Sequence, residues 1–225
     1  MEAKVIESKR STTLKMLALT VCLGLASYVL IIQADQHNRL EIVGTILGLV
    51  SVWLTVRQNI WCWPTGIIMV ALYAVIFFRA KLYADAGLQV VYFVLQIYGW
   101  YEWLYGGKDH GELEVTRITL RLGVWLSVVA AAATALMGYL LATRTDAALP
   151  YWDSTATVLS LIAQWMLARK LIENWFVWIT VDVLSIGIYR AKELYPTMAL
   201  YAAFLVLAVL GWIEWRKSLR NLQPA

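Results

Sequence analysis

Charge is scarce in this chain. Charged residues fill 15% of 225 positions, where a soluble domain carries about 25%, which excludes a soluble globular protein. Cysteine is almost absent too: Cys22 and Cys62 both fall in or beside apolar runs, so neither a disulfide framework nor a cysteine metal site follows. The only histidines, His37 and His110, sit in connecting segments. No His-rich metal spacing, G-x-S-x-G or P-loop occurs, and no two carboxylates meet at mid-membrane depth. The chain therefore reads as no enzyme, with no catalytic residue, no cofactor and no metal expected. The net charge of +4 comes from basic residues spread over the loops, a mark of membrane topology rather than of a nucleic-acid partner.

Apolar residues are what the chain has, at 61%. A spanning helix needs about 20 consecutive apolar residues. Runs of that kind lie at about 14–34, 40–57, 61–78, 85–104, 120–143, 153–168, 173–189 and 197–216. The fold class read from them is an all-α membrane protein with eight transmembrane helices and the lipid bilayer as its surroundings. The first run is long enough to span and lacks a clear small-x-small cleavage site before Asp35, so it is expected to stay as a helix. The N-terminal tail, the second, fourth and sixth loops and the C-terminus hold 13 basic residues, against 6 on the other face. The positive-inside rule then puts both termini in the cytoplasm.

After the first run the chain repeats itself. Residues 41–103 match 153–215 at an offset of 112: Trp53 pairs with Trp165, Arg57 with Arg169, Trp63 with Trp175. Gly99, Trp100, Glu102 and Trp103 pair with Gly211, Trp212, Glu214 and Trp215. Arg79-Ala80-Lys81 matches Arg190-Ala191-Lys192 only if a one-residue slip precedes Leu82 and Leu194. Each copy holds three helices, and the run 120–143 joins them. A spacing of four helices leaves both copies pointing the same way, as in carriers whose solute site lies between parallel repeats. The expected plan is two parallel three-helix bundles joined by a linker helix (3+1+3) plus one extra N-terminal helix. Its boundaries are 1–38 for the tail and extra helix, 39–104 for the first repeat, 105–151 for the linker and 152–219 for the second repeat.

The run 174–189 organises the site. Asn174, Trp178, Asp182, Ser185 and Tyr189 recur at helical spacing and share an arc of roughly 80°. Phe176, Val177, Val183, Leu184 and Ile188 form the opposite side. A carboxylate inside a spanning helix is costly unless it meets a polar cavity or a partner, so Asp182 marks either a solute site or a staple between helices. In the third helix of the first copy, Asp85, Gln89, Tyr92, Gln96 and Trp100 line up similarly. Gln89 and Gln96 need hydrogen-bond partners in a medium without water, from solute or from a neighbouring helix. Asn59, Trp63, Gly66, Tyr73 and Phe77 make a third stripe, and Thr197, Tyr201 and Phe204 a weaker fourth. Gly44, Thr45 and Gly48, answered by Ala156 and Ser160, are read as close-packing positions. Trp100, Trp103, Trp212 and Trp215 are read as an interfacial aromatic belt. Asp182 falls opposite Val70 or Ala71, Asn174 opposite Cys62, and Gln89 opposite Tyr201. The halves thus share their tryptophans and differ in their polar groups, which suits a ligand with an aromatic end and a hydroxyl-rich end.

Several motifs resemble one family. W-P-T-G-I at 63–67, L-Y-A-D-A-G-L-Q at 82–89 and Y-G-W-Y-E-W at 98–103 are similar to the first half of PnuC-type vitamin transporters. N-W-F-V-W-I-T-V-D-V-L-S-I-G-I-Y at 174–189 and L-Y-P-T-M-A-L-Y at 194–201 are similar to the second. The resemblance covers about 40–215. It implies a bacterial cytoplasmic-membrane transporter of nicotinamide riboside with a SWEET-like fold, forming a homotrimer. Transport by facilitated diffusion, with the substrate trapped by phosphorylation inside the cell, is implied as well. The family's W-x-x-W corresponds to Trp175 and Trp178, with Asn59, Trp63, Gln89 and Gln96 completing the pocket. No Pro-Gln dipeptide of the wider PQ-loop group occurs. Open alternatives are a carrier of thiamine or riboflavin, a proton-coupled carrier using Asp182, and a non-transporting membrane scaffold.

Overall fold

A computed structural model describes residues 39–222. The expected tail 1–13 and helix 14–34 lie outside them. Seven α-helices follow in order: α1 (Arg39–Val56), α2 (Cys62–Arg79), α3 (Tyr83–Tyr105), α4 (Leu120–Arg144), α5 (Pro150–Ala168), α6 (Asn174–Ala191) and α7 (Tyr195–Leu222). Each covers one predicted run, and α7 continues past the expected end at residue 216. Among the described residues, α2, α4 and α7 are long and apolar enough to cross a membrane, with mean hydropathies of 1.7, 1.9 and 2.0. The polar stripes keep α3 and α6 out of that set: Gln89 and Gln96 interrupt the first, Asn174 and Asp182 the second.

Four helix ends obey one local rule. Gln58, Lys81, Lys170 and Glu193 take left-handed φ of 53°, 61°, 48° and 58° just past α1, α2, α5 and α6. At each, the next residue's amide reaches back to the last turn: Asn59 to Leu54, Leu82 to Phe77, Leu171 to Met166, Leu194 to Tyr189, at 2.8–3.0 Å. These bonds satisfy carbonyls that a helix end leaves open. Without glycine, each left-handed residue costs about 1 kcal/mol. Positions 58 and 170, and 81 and 193, are all separated by 112. The apparent one-residue slip at Arg79–Lys81 is therefore absent from the backbone, since α2 is capped by Ala80 and α6 by Lys192.

α1, α2 and α3 pack in succession, as do α5, α6 and α7; α3 against α5 and α1 against α7 join the two sets. α4 packs chiefly along α5, where its one buried residue, Gly138, lies under the Tyr151 ring. The segment before α4 is more than a connector. After a 3-10 turn at Lys108–His110, an extended strap lies beside the α5–α6 turn. Thr116 N–H donates to Lys170 O (3.0 Å), Ile172 N–H to Thr116 O (2.9 Å) and Ile118 N–H to Glu173 Oε2 (2.9 Å). Val115 of the strap is buried in the largest core cluster, with Trp63, Trp103, Trp175 and Trp215.

That cluster corrects the expected aromatic belt. Trp103 and Trp215 are fully buried at 2% and 0% exposure; Trp100 remains exposed and Trp212 half-buried. On α6, Phe176 and Val183 face outward as expected, whereas Ile188 is buried with the polar side.

Candidate functional site

The predicted residues fall into two zones about 12 Å apart along α6, taking 1.5 Å per residue. The first is the tryptophan end. Trp63 packs edge-on against Trp103 (5.3 Å) and Trp175 edge-on against Trp215 (5.3 Å), while Trp103 and Trp215 meet at 5.9 Å. Close approach is possible because the Trp63 ring lies on Gly99 and the Trp175 ring on Gly211, with no room for a Cβ at either. Trp103 Nε1 donates to Leu167 O (3.2 Å), and Trp215 Nε1 donates to Thr55 O (3.1 Å). Both bonds cross between the three-helix sets, and their residues correspond at the same offset.

Polar groups here are only partly satisfied. Asn174, at 0% exposure, donates through Nδ2 to Leu171 O (2.6 Å). Its Oδ1 and the Nε1 groups of Trp63 and Trp175 make no hydrogen bond among the described residues, although all are buried. An unmet buried group of this kind costs about 1–3 kcal/mol, so water or a solute is the natural partner. Trp178 is half-buried against this cluster. Gln96, 7% exposed, packs its amide over Gly66, where an added Cβ would come within 2.6 Å of Nε2.

The second zone lies deeper along the helices. Asp182 and Ser185 are each 3% exposed, and Asp182 has no ion pair or hydrogen bond among the described residues. The Tyr189 and Tyr201 rings stack at 5.2 Å and 22°. The Tyr201 hydroxyl interacts with that of Tyr189 and electrostatically with Tyr92 and Asp182, and Tyr92 interacts with Ser160 on α5. Four predicted residues from α3, α6 and α7 thus converge. Gln89 is half-buried on the same helix as Tyr92. Tyr73 belongs to the other side: it lies over Gly44, stacks on Phe77 (5.7 Å) and shares a 3.2 Å hydrogen bond with Thr45.

Asn59 does not join either zone. It is exposed in the α1–α2 turn, where Oδ1 accepts from Trp61 N–H (3.0 Å); its spacing matched the stripe, but the helix begins only at Cys62. Two surface grooves, along Ile118–Ala131 and along Leu205–Ile213, contain none of the predicted residues. Sequence reasoning missed Lys170. It is 7% exposed, with Nζ 2.7 Å from Leu113 O and 4.3 Å from the Trp103 ring centroid. Burial pulls its pKa below the ordinary lysine value, with Glu112 opposing. Neighbouring Arg169 contacts Tyr98 OH (3.3 Å) and Glu102 Oε2 (3.1 Å); the tyrosine bond and, less strongly, the carboxylate raise its pKa. A lone lysine in a loop gives no sequence signal for such a position.

Apolar helices that enclose unmet polar groups and an unpaired carboxylate define an integral membrane protein of the transporter type. The chain belongs to the family described as "Nicotinamide mononucleotide transporter", whose sequence profile matches residues 38–217. Among its relatives is the nicotinamide riboside transporter PnuC of Escherichia coli (strain K12), 31% identical over 207 residues, covering 81% of this chain and 87% of that one. PnuC of Neisseria mucosa is 28% identical, covering 90% and 81%. The riboflavin/roseoflavin transporter RibM of Streptomyces davaonensis is 27% identical, covering 84% and 91%. The fold is similar to that in a crystal structure of the vitamin B3 transporter PnuC, with a TM-score of 0.73 at 24% identity, covering 94% of this chain and 93% of that one.

Proposed function

We propose that this protein carries nicotinamide riboside into the cell by facilitated diffusion. The observation that carries the reading is the unpaired Asp182 among Tyr92, Tyr189 and Tyr201. Nicotinamide riboside has a positive pyridinium ring and a ribose with hydroxyls. Asp182 balances the ring's charge, and tyrosine and tryptophan faces bind it at about 0.5–2 kcal/mol each. Gln89 and Ser185 bind hydroxyls beside it, and Gln96, Asn174, Trp63, Trp175 and Trp178 line the way towards the tryptophan end. Tyr73 closes the first-half wall.

The same charge pattern favours the riboside over the mononucleotide of the family's description. No lysine or arginine occurs in the middle of any predicted span. A phosphate beside Asp182 would lack a partner and meet a like charge.

In this reading residues 39–104 and 152–219 are like-oriented three-helix bundles, joined by the linker 105–151 and preceded by an eighth span in 1–38. The protein sits in the bacterial cytoplasmic membrane as a homotrimer, with both termini and the tryptophan end on the cytoplasmic side. One bundle rocks against the other to expose the site alternately. Phosphorylation by a cytoplasmic enzyme keeps the product inside, and no ion gradient is required.

A calorimetric titration of purified protein with nicotinamide riboside, nicotinamide mononucleotide, thiamine and riboflavin tests the substrate. Riboside should bind and the mononucleotide should not. Equal or tighter binding of the mononucleotide removes the charge argument, and tighter binding of riboflavin moves the chain to the second vitamin class among its relatives.

A further inference from the structure

Four polar contacts join the two three-helix sets at one end, apart from the approach of Tyr92 to Ser160 farther along. Trp103 Nε1 to Leu167 O, Trp215 Nε1 to Thr55 O, Gln58 Nε2 to Ser218 Oγ (2.8 Å) and the Arg169–Glu102 pair all lie at the tryptophan end. The end is therefore shut in this structure. Most of the closure is two-fold: Gln58 and Lys170 are equivalent left-handed turn residues. What each does with its side chain differs. Gln58 bonds to Ser218 on α7. Lys170 instead places its ammonium between the strap carbonyl of Leu113 and the face of Trp103.

The strap makes this an inter-bundle connection. Leu113 N–H donates to Trp103 O at the end of α3 (3.2 Å), while Thr116 pairs with Lys170 and Ile172 across the α5–α6 turn. Between α3 and the strap lie Gly106, Gly107 and Gly111, with Asp109 and His110 at φ of 53° and 59°. That short stretch is where the chain can bend when the two sets part.

We propose that Lys170 is the latch of this gate: its ammonium, held by the Leu113 carbonyl and the Trp103 ring, keeps the tryptophan end shut and must withdraw before solute can pass. A tethered cation then occupies an aromatic face that solute passes on leaving, so latch and cationic solute exclude each other there. Among the described residues no strap lies over the turn of the other half, where Gln58 bonds to Ser218 instead. The latch stands on the contacts alone; that it faces the cytoplasm rests on the orientation proposed above.

Cys62 supplies the reporter. It is 2% exposed within the tryptophan cluster, and Cys22→Ser leaves it as the only thiol. Full-length protein in vesicles of each orientation is treated with a membrane-impermeant maleimide, with and without Lys170→Met. The substitution should speed labelling of Cys62 from the cytoplasmic face by about ten-fold or more, leave labelling from the other face unchanged, and be reversed by Lys170→Arg. Equal labelling rates in Lys170→Met and its parent, both still binding nicotinamide riboside, overturn the latch. Faster labelling from the outer face alone supports the latch and overturns the orientation. If Lys170→Met does not fold, Thr116→Pro takes its place, since it removes the strap's amide donor to Lys170 O; unchanged labelling there overturns the proposal equally.

Discussion

At the tryptophan end the two three-helix sets are near copies, and about 12 Å along α6 they part. Trp63 on Gly99 is matched by Trp175 on Gly211, and the two indole bonds to Leu167 and Thr55 correspond at the same offset. Farther along, buried Asp182 stands where the first set has buried Val70, Ser185 where it has Tyr73, and Tyr201 where it has Gln89. The residues that correspond at the 112-residue offset build the frame and its closure. The part that has diverged holds an unpaired carboxylate and stacked tyrosines. A symmetric frame with an asymmetric interior can bind a molecule whose two ends differ in chemistry.

The largest effect should come from the shared frame. Gly211→Leu and Gly99→Leu each force a side chain into a tryptophan ring, an overpacking that costs about 3 kcal/mol or more; thermal unfolding in detergent should show a similar loss for both. A much smaller loss at one position would break the correspondence. Next comes the divergent interior. Asp182→Asn should preserve the melting temperature and weaken riboside binding about 30-fold, the loss of about 2 kcal/mol for a charged contact. Binding unchanged by Asp182→Asn would make Asp182 a staple between helices. Val70→Asp, at the equivalent buried position, should destabilise by about 3 kcal/mol without creating a second site. Smallest are Trp103→Phe and Trp215→Phe, each losing one hydrogen bond worth about 1 kcal/mol. Equal shifts are expected, and Lys170 over Trp103 adds no difference because phenylalanine keeps an aromatic face.

Helix positions were legible because apolar runs of bilayer length announce themselves, and the 112-residue offset was legible because tryptophan and glycine repeat with it. Tyr92, Asp182, Tyr189 and Tyr201 stood out in the sequence because polar side chains at helical spacing on a spanning helix must face inward. Three features were not legible. Left-handed helix ends at Gln58, Lys81, Lys170 and Glu193 lack the glycine that usually marks them. The burial of Trp103 and Trp215 comes from Trp63 and Trp175 of neighbouring helices, which are seated on Gly99 and Gly211, while tryptophan near a helix end ordinarily reads as an interface anchor. The strap from Leu113 to Ile118 pairs with residues some 55 positions away, and no local pattern encodes such a partner.

The most direct test of the account is uptake of labelled nicotinamide riboside into proteoliposomes without an imposed proton or sodium gradient. The expected result is entry until inside and outside concentrations are equal, insensitive to a protonophore and slowed by Asp182→Asn. Accumulation above the outside concentration that collapses with a protonophore would contradict facilitated diffusion, and no uptake by correctly folded protein would contradict the carrier itself.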